Sequence, residues 1–380
     1  MAWAYKRNSK VLPFAALLSG MTALAACSSV VPASGPLTQP TAGPTSGAAA
    51  SSRSTAPAGS GSLSTASPGT QPTGTASPGG AVPPSGGDLS AALPAPAALP
   101  TFPGTKVFPD LGRWQPVGRL VHGKAAVYET LLVPPGDNKR VGIAWMDTHL
   151  LAARLYSGSM SPGGGPYKYT APVTASAAKS LVAAFNGGFQ MGAAHGGYYT
   201  EGRVVRPLVR GAASLVIYAN GLVTVGDWGS DVTMTPSVVA VRQNLYPLVA
   251  NGEPTALAAT RHWRTWGGTC PCGAGQTPSE YQWRSGVGVT ADGALVYVNG
   301  PVLDPLQVAQ ALVRAGAVRG MQLDINPTWP VFAAYKPAAA NGEAAPANGA
   351  TFVNTYRGPA TFFDPKYARD FITMSARSSG

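Results

Sequence analysis

The stretch R-S-G-V-G-V-T-A-D-G-A-L-V-Y-V-N-G-P-V-L-D-P-L-Q-V-A-Q-A-L-V-R-A-G-A-V-R-G-M-Q-L-D, residues 284–324, decides the fold. Residues 286–290 and 294–298 are rich in Val, Leu and Tyr, and Asp292-Gly293 lies between them. Two such runs joined by Asp-Gly read as a hairpin with a tight type I′ turn. Asp304 then precedes Pro305, the pattern of an N-cap followed by proline in the first helical turn. Leu306, Ala309, Leu312 and Val313 recur at helical spacing up to Gly316, which predicts a helix over 304–315. The apolar run 318–323 reads as a buried strand ending at Asp324. Strand, helix and strand in that order bring 287–298 and 318–323 into one sheet.

Working outward, runs of β-branched and aromatic residues recur at 125–133, 141–146, 150–156, 214–218 and 222–225. Asn220-Gly221 separates the last two and predicts a second type I′ hairpin. The Ala-rich segment 176–184 reads as a second helix, running into Phe185-Asn186-Gly187-Gly188. No repeat of 20–50 residues is visible. The expected class is α+β: one strand-dominated domain over 101–380, with a mixed sheet and a few helices.

The residues before 101 have a different composition. Lys6, Arg7 and Lys10 form a positive start, and 11–26 is mostly apolar but interrupted by Pro13 and Gly20. This is the layout of an export signal over 1–26. Its end, Leu24-Ala25-Ala26-Cys27, resembles a bacterial lipobox, which implies cleavage before Cys27 and a lipid on its sulfur. Of the 73 residues in 28–100, 61 are Ala, Pro, Gly, Ser or Thr, and none is aromatic. Such a segment buries too little apolar area to offset the entropy of ordering it. Residues 27–100 are therefore expected to be a disordered tether, spanning about 50 Å as a flexible chain. The implied location is the outer face of a bacterial cytoplasmic membrane.

The chain carries a net charge of +11, and 101–380 alone holds 23 basic and 15 acidic residues. That balance favours anionic partners such as phosphorylated glycans. No Lys/Arg run with interleaved aromatics appears, which argues against a nucleic-acid groove. Gly-x-Ser-x-Gly, Gly-x-x-x-x-Gly-Lys and His-Glu-x-x-His are all absent, which lowers serine hydrolase, nucleotide hydrolase and zinc protease readings. Cys270-Pro271-Cys272 leaves three readings open: a small loop disulfide, two free thiols, or part of a metal site that lacks its other ligands. No cofactor and no metal are implied.

Three clusters can carry chemistry. Asn186-Gly187-Gly188-Phe189 offers an amide beside paired glycines, with Tyr198 and Tyr199 close behind. Arg284 opens a Gly-x-Gly strand and can aim a rigid fork at a phosphate. Asp324, followed by Ile325-Asn326-Pro327 and Trp329, sits at a strand exit. Each also has a plain structural reading: a left-handed turn, a paired arginine, and an aspartate capping the Asn-Pro turn.

The order of these clusters resembles the phosphodiester glycosidase domain family, which includes the enzyme that uncovers mannose 6-phosphate and many exported bacterial proteins. The resemblance spans roughly 180–330. Asn186-Gly187-Gly188-Phe189 matches the family's Asn-Gly-Gly-aromatic motif, Arg284 with Gly286 and Gly288 its Arg before a glycine-bearing strand, and Asp324 the Asp of its Leu-Asp-Gly-Gly-Gly-Ser segment. This chain has Ile325-Asn326-Pro327 where the family has glycines. The resemblance implies hydrolysis of a sugar-1-phosphodiester at its glycosidic bond. Asp324, Arg284 and Asn186 would be catalytic, with Gly187, Gly188, Tyr198, Tyr199, Asn326 and Trp329 holding substrate. The alternative is a catalytically silent module that binds phosphorylated wall glycans or an envelope protein. Changing Cys27→Ala is expected to move the protein from membrane to medium, or to leave uncleaved precursor. Fractionation with immunodetection reads this out, and unchanged, fully processed membrane retention would contradict the anchor.

Overall fold

The computed structural model describes residues 91–268 and 281–378. The export signal, Cys27, the tether up to residue 90 and the Cys270/Cys272 pair lie outside the described residues. Residues 91–100, assigned above to the tether, lie against the domain. The Leu93 amide donates to Asp147 Oδ2 at 2.9 Å, the Leu99 amide donates to the Gly112 carbonyl at 2.8 Å, and Trp114 Nε1 donates to the Ala97 carbonyl at 2.8 Å. Leu93 and Leu99 are the apolar exceptions in that stretch, and both pack on the core.

Strands dominate and form three sheets. The largest runs in the order Gln115–Val121, Lys124–Leu132, Val141–Met146, Leu295–Leu303, Gln282–Thr290, Ala317–Ile325, Pro247–Ala250 and Glu253–Pro254. A second contains Arg203–Arg206, Tyr198–Thr200, Val238–Gln243, Ala213–Tyr218 and Val223–Asp227. The third contains Gly349–Ala350, Phe332–Tyr335, Leu181–Asn186, Phe371–Ala376 and Leu151–Tyr156. Every ladder between these strands is antiparallel, so the expected mixed sheet is not found among the described residues. The 295–303 and 317–325 strands do share one sheet and one direction. The 282–290 strand lies between them and pairs antiparallel with both.

The connecting helix, Pro305–Arg314, has the predicted start. Asp304 Oδ1 accepts from the Gln307 amide at 2.7 Å, and Gln307 Oε1 accepts from the Asp304 amide at 3.0 Å. This reciprocal capping satisfies two amides that the helix itself leaves without partners. The helix buries Val308, Ala309, Ala311 and Leu312 against the large sheet. Gly286 makes that approach possible, since a Cβ there would stand 2.7 Å from Val308 Cγ1. The Gly-x-Gly of the 282–290 strand thus has a packing cause.

Two local expectations change. Both hairpins form, but only Gly221 and Gly293 have positive φ, at +78° and +90°, while Asn220 and Asp292 do not. A type I′ turn needs positive φ at both central residues, so each turn is instead one with a single left-handed glycine. The predicted helix over 176–184 shrinks to one turn, Ala175–Ala178, and Leu181–Asn186 is a strand. All six strand residues are buried between Phe332–Tyr335 and Phe371–Ala376. Sheet pairing at this central position overrides the helical preference of its alanines.

The main core lies where the large sheet faces the other two. Met146, Val287, Tyr297, Met321 and Leu323 meet Val182, Phe185, Phe332, Ile372 and Met374 of the third sheet, and Leu215, Ile217 and Val225 of the second. A second core fills the space under the 305–314 helix. Replacing Asp304 by Ala is expected to lower stability by about 1 kcal/mol through loss of the cap. Urea denaturation should show a lower midpoint with an unchanged slope.

Candidate functional site

Asn186 ends its strand with its side chain turned into the protein. Its Nδ2 donates to the Gly187 carbonyl at 2.7 Å and to Ser285 Oγ at 3.0 Å. Its Oδ1 accepts from the Tyr297 hydroxyl at 2.7 Å and the Val331 amide at 3.0 Å. Burial pushes the Tyr297 phenol well above its usual range, so it remains a donor. Ser285 continues the chain of contacts: its Oγ accepts from the Asp324 amide at 3.1 Å. Asn186 and Asp324 therefore belong to one network, with Ser285 between them.

Arg284 neighbours Ser285 in a strand, so its side chain leaves from the opposite face. It is fully buried. Its guanidinium donates to the carbonyls of Leu303 (2.8 Å), Trp266 (2.7 Å) and Gly267 (2.7 Å), and to Gln322 Oε1 (2.8 Å). It ties the Trp263–Trp266 turn to the large sheet. The structure thus separates Arg284 from the two residues it was expected to join.

A different arginine stands beside Asp324. Arg369 Nη2 lies 2.5 Å from Asp324 Oδ2 and also donates to the Gly188 carbonyl at 2.9 Å. Its guanidinium carbon stands 4.6 Å from the centre of the Trp329 ring, which Arg357 also faces at 5.2 Å. Arg369 Nε is buried with no hydrogen-bond partner among the described residues. The next residue, Asp370, pairs with Arg242 at 2.7 Å, both side chains being fully enclosed. Asp324 is 5% exposed. Burial pushes its carboxyl up to about 7, Asp370 adds to the rise, and Arg369 and the Ile325 amide oppose it.

The two glycines serve close approach. A Cβ on Gly187 would meet Asp370 Oδ2 at 2.0 Å, and one on Gly188 would meet Asn244 Oδ1 at 2.7 Å. Asn244 in turn accepts from the Phe189 amide at 2.9 Å and donates to the Gln322 and Leu323 carbonyls at 2.9 and 2.8 Å. Tyr198 is wholly buried, with its hydroxyl 2.9 Å from Ser157 Oγ, so it is not open to a sugar ring as expected. Tyr199 points to the other side of its short strand and packs in a separate cluster. Asn326 adopts φ +68°, and its Oδ1 accepts from the Thr328 amide at 2.9 Å, so its side chain forms the turn. Trp329 is half-buried and borders the Asp324–Arg369 pair.

Sequence reading missed Arg369, Asp370, Arg242, Asn244 and Ser285. The only local signal was an Arg-Asp pair opening the apolar run 371–374. Two further polar residues share this face of the large sheet. Asn299, directly across from Ser285, is 1% exposed, and neither of its amide atoms has a well-formed hydrogen bond among the described residues. Glu129 is pushed up to about 7 by burial. Among the described residues no group of three His, Cys, Asp or Glu has the spacing to hold a metal ion.

Asp324 also makes a stability prediction. Its carboxyl titrates higher folded than unfolded, so the folded state binds the extra proton between about pH 4 and 7. Its contribution is thus most favourable below about pH 4 and declines as pH rises to 7. The stability difference between Asp324→Asn and the unaltered protein should shift in the variant's favour as pH rises across that window, whatever its sign at pH 4. Denaturation midpoints of both, measured at several pH values, check this, and a constant difference would contradict it.

No protein-family model matches the chain, and no curated protein does. Distantly similar solved structures include the zebrafish N-acetylglucosamine-1-phosphodiester α-N-acetylglucosaminidase catalytic domain, auto-inhibited by its pro-peptide. It is 16% identical, with 70% of this chain and 88% of that one covered and a TM-score of 0.39. An uncharacterised Synechocystis protein is 12% identical over 69% of this chain and 64% of its own, with a TM-score of 0.36. A Burkholderia pseudomallei K96243 protein described as exported is 13% identical over 62% and 74%, with a TM-score of 0.32. These are distant similarities of fold.

Proposed function

We propose that this chain is an exported, lipid-anchored hydrolase that cleaves a sugar-1-phosphodiester in envelope or extracellular glycans. The observation that carries the reading is Asp324: a buried carboxyl pushed up to about 7, paired with Arg369 and linked through Ser285 to Asn186. The order of the Asn-Gly-Gly-Phe, Arg-x-Gly-x-Gly and Leu-Asp motifs supports the same class.

In this reading the ionised Asp324 takes a proton from water as its oxygen attacks the anomeric carbon. The bond from that carbon to the phosphate oxygen breaks, and its electron pair leaves with a phosphate monoester. That leaving group is weakly basic, so the second carboxyl of most glycosidases is not needed to protonate it. A base titrating near 7 suits proton transfer at neutral pH. Arg369, rather than Arg284, would bind the phosphate, with Trp329 beside it to meet the sugar. Arg284 would keep the 263–267 segment in place. Asn186 would position Asp324 through Ser285, and the Gly187-Gly188 backbone would position Arg369 through the Gly188 carbonyl. One observation favours a silent binding module instead: Asp324 and Arg369 already satisfy one another at low exposure.

The test is to incubate the protein with hexose-1-phosphodiesters of both anomers and measure free sugar. Turnover is expected, rising with pH through about 7 as Asp324 ionises. Asp324→Asn should reduce kcat by about 100-fold or more while a sugar phosphate still binds. Arg369→Ala should lose more activity than Arg369→Lys, which keeps the charge without the fork. Release of no sugar, with phosphosugar binding intact, would favour the binding module.

A further inference from the structure

We propose that a second site, away from Asp324, binds an anionic oligosaccharide. It is the cleft of about 1420 Å³ where the strand Leu151–Tyr156 of the third sheet meets the Ala213–Tyr218 strand of the second. The Ala153 amide donates to the Gly221 carbonyl at 2.8 Å at this junction. Neither Asn186, Arg284, Asp324 nor Arg369 lines the cleft.

Charge defines the ligand's sign. Lys124, Arg154 and Lys168 are exposed around the cleft, and Arg377 lies in its wall. Among the described residues Glu201 is the one acidic side chain in the lining, and its carboxylate accepts the Lys168 and Tyr169 amides, each at 3.0 Å. Lys124 and Arg154 come from strands and Lys168 from a loop, none of the three forms an ion pair among the described residues, and together they focus a positive field into a concave surface.

Size and lining define the rest. The cleft exceeds the roughly 300–1,000 Å³ of ordinary small-molecule pockets, which suits several linked units. Serine and threonine side chains from 170–180 and 373–378 line it, with hydroxyls of the kind that pair with sugars. Tyr169 is half-buried, with Arg154 4.1 Å and Lys168 5.3 Å from its ring centre, so an aromatic surface and cations stand together. The chain's own preceding segment is a poor match. Residue 91 reaches the rim, where the Ala91 carbonyl lies 2.9 Å from His149 Nδ1, but 28–90 has only Asp88 as an acid, against Arg53.

The test is calorimetric titration of the full chain with tetragalacturonate, neutral maltotetraose and an oligothymidylate of similar charge. Tetragalacturonate should bind, weakening as salt rises, and maltotetraose should bind far more weakly. A triple change, Lys124→Glu, Arg154→Glu and Lys168→Glu, should weaken it by about tenfold or more. The milder pair Arg154→Gln with Lys168→Gln gives the same reading should the triple variant fold poorly. No binding of tetragalacturonate, equal binding of maltotetraose or the oligothymidylate, or unchanged affinity in these variants would overturn the site. Turnover at Asp324 does not enter this measurement, so the two readings stand or fall separately.

Discussion

Two ion pairs buried where the three sheets meet constrain the rest of this structure. Asp324 comes from the large sheet, Arg242 from the second, and Arg369 with Asp370 from the entrance to the third. A charge in this setting must be paired and hydrogen-bonded, and removing one partner of such a pair typically costs about 3–5 kcal/mol. Each sheet therefore holds a charge that the others must match. Asn244 adds neutral bonds to the same seam by joining the Phe189 amide to carbonyls of the large sheet.

The seam explains why the backbone turns where it does. The chain must pass from Asn186 to Phe189 between Asp370 and Asn244, and only residues without a Cβ fit. Paired glycines there are a steric requirement of the ion pairs, whatever chemistry follows. The enclosure that demands pairing also perturbs Asp324. Removal of water raises its carboxyl further than one adjacent guanidinium lowers it. Structural closure and a proton-transfer group near neutrality thus have the same physical origin.

Arg284 shows how a motif and its geometry can separate. Its place before a glycine-bearing strand made it a natural phosphate ligand. Alternation along that strand turns Ser285 toward Asn186 and Asp324, and so turns Arg284 away, toward the carbonyls of Trp266, Gly267 and Leu303. The cation beside Asp324 is instead Arg369, 45 residues further along the chain. Gly286 answers to the helix above it, through Val308, and Gly288 to the adjacent strand, through the Arg319 carbonyl and Ala317, rather than to a ligand.

What the sequence determined by itself was local and periodic. The 305–314 helix with its Asp304–Gln307 cap, the hairpins at Gly221 and Gly293, and the strand leading to Asp324 depend on neighbours a few residues apart. Asn186 and Asp324 could be singled out because each ends a buried run beside turn residues. Three things were decided only in the tertiary structure. Leu181–Asn186 became a strand because two partner strands, distant in sequence, enclose it. Arg242 met Asp370 across 128 residues, a contact that no spacing encodes. The carboxyl of Asp324 rose toward 7 because burial, a property of the assembled sheets, outweighs the pairing beside it.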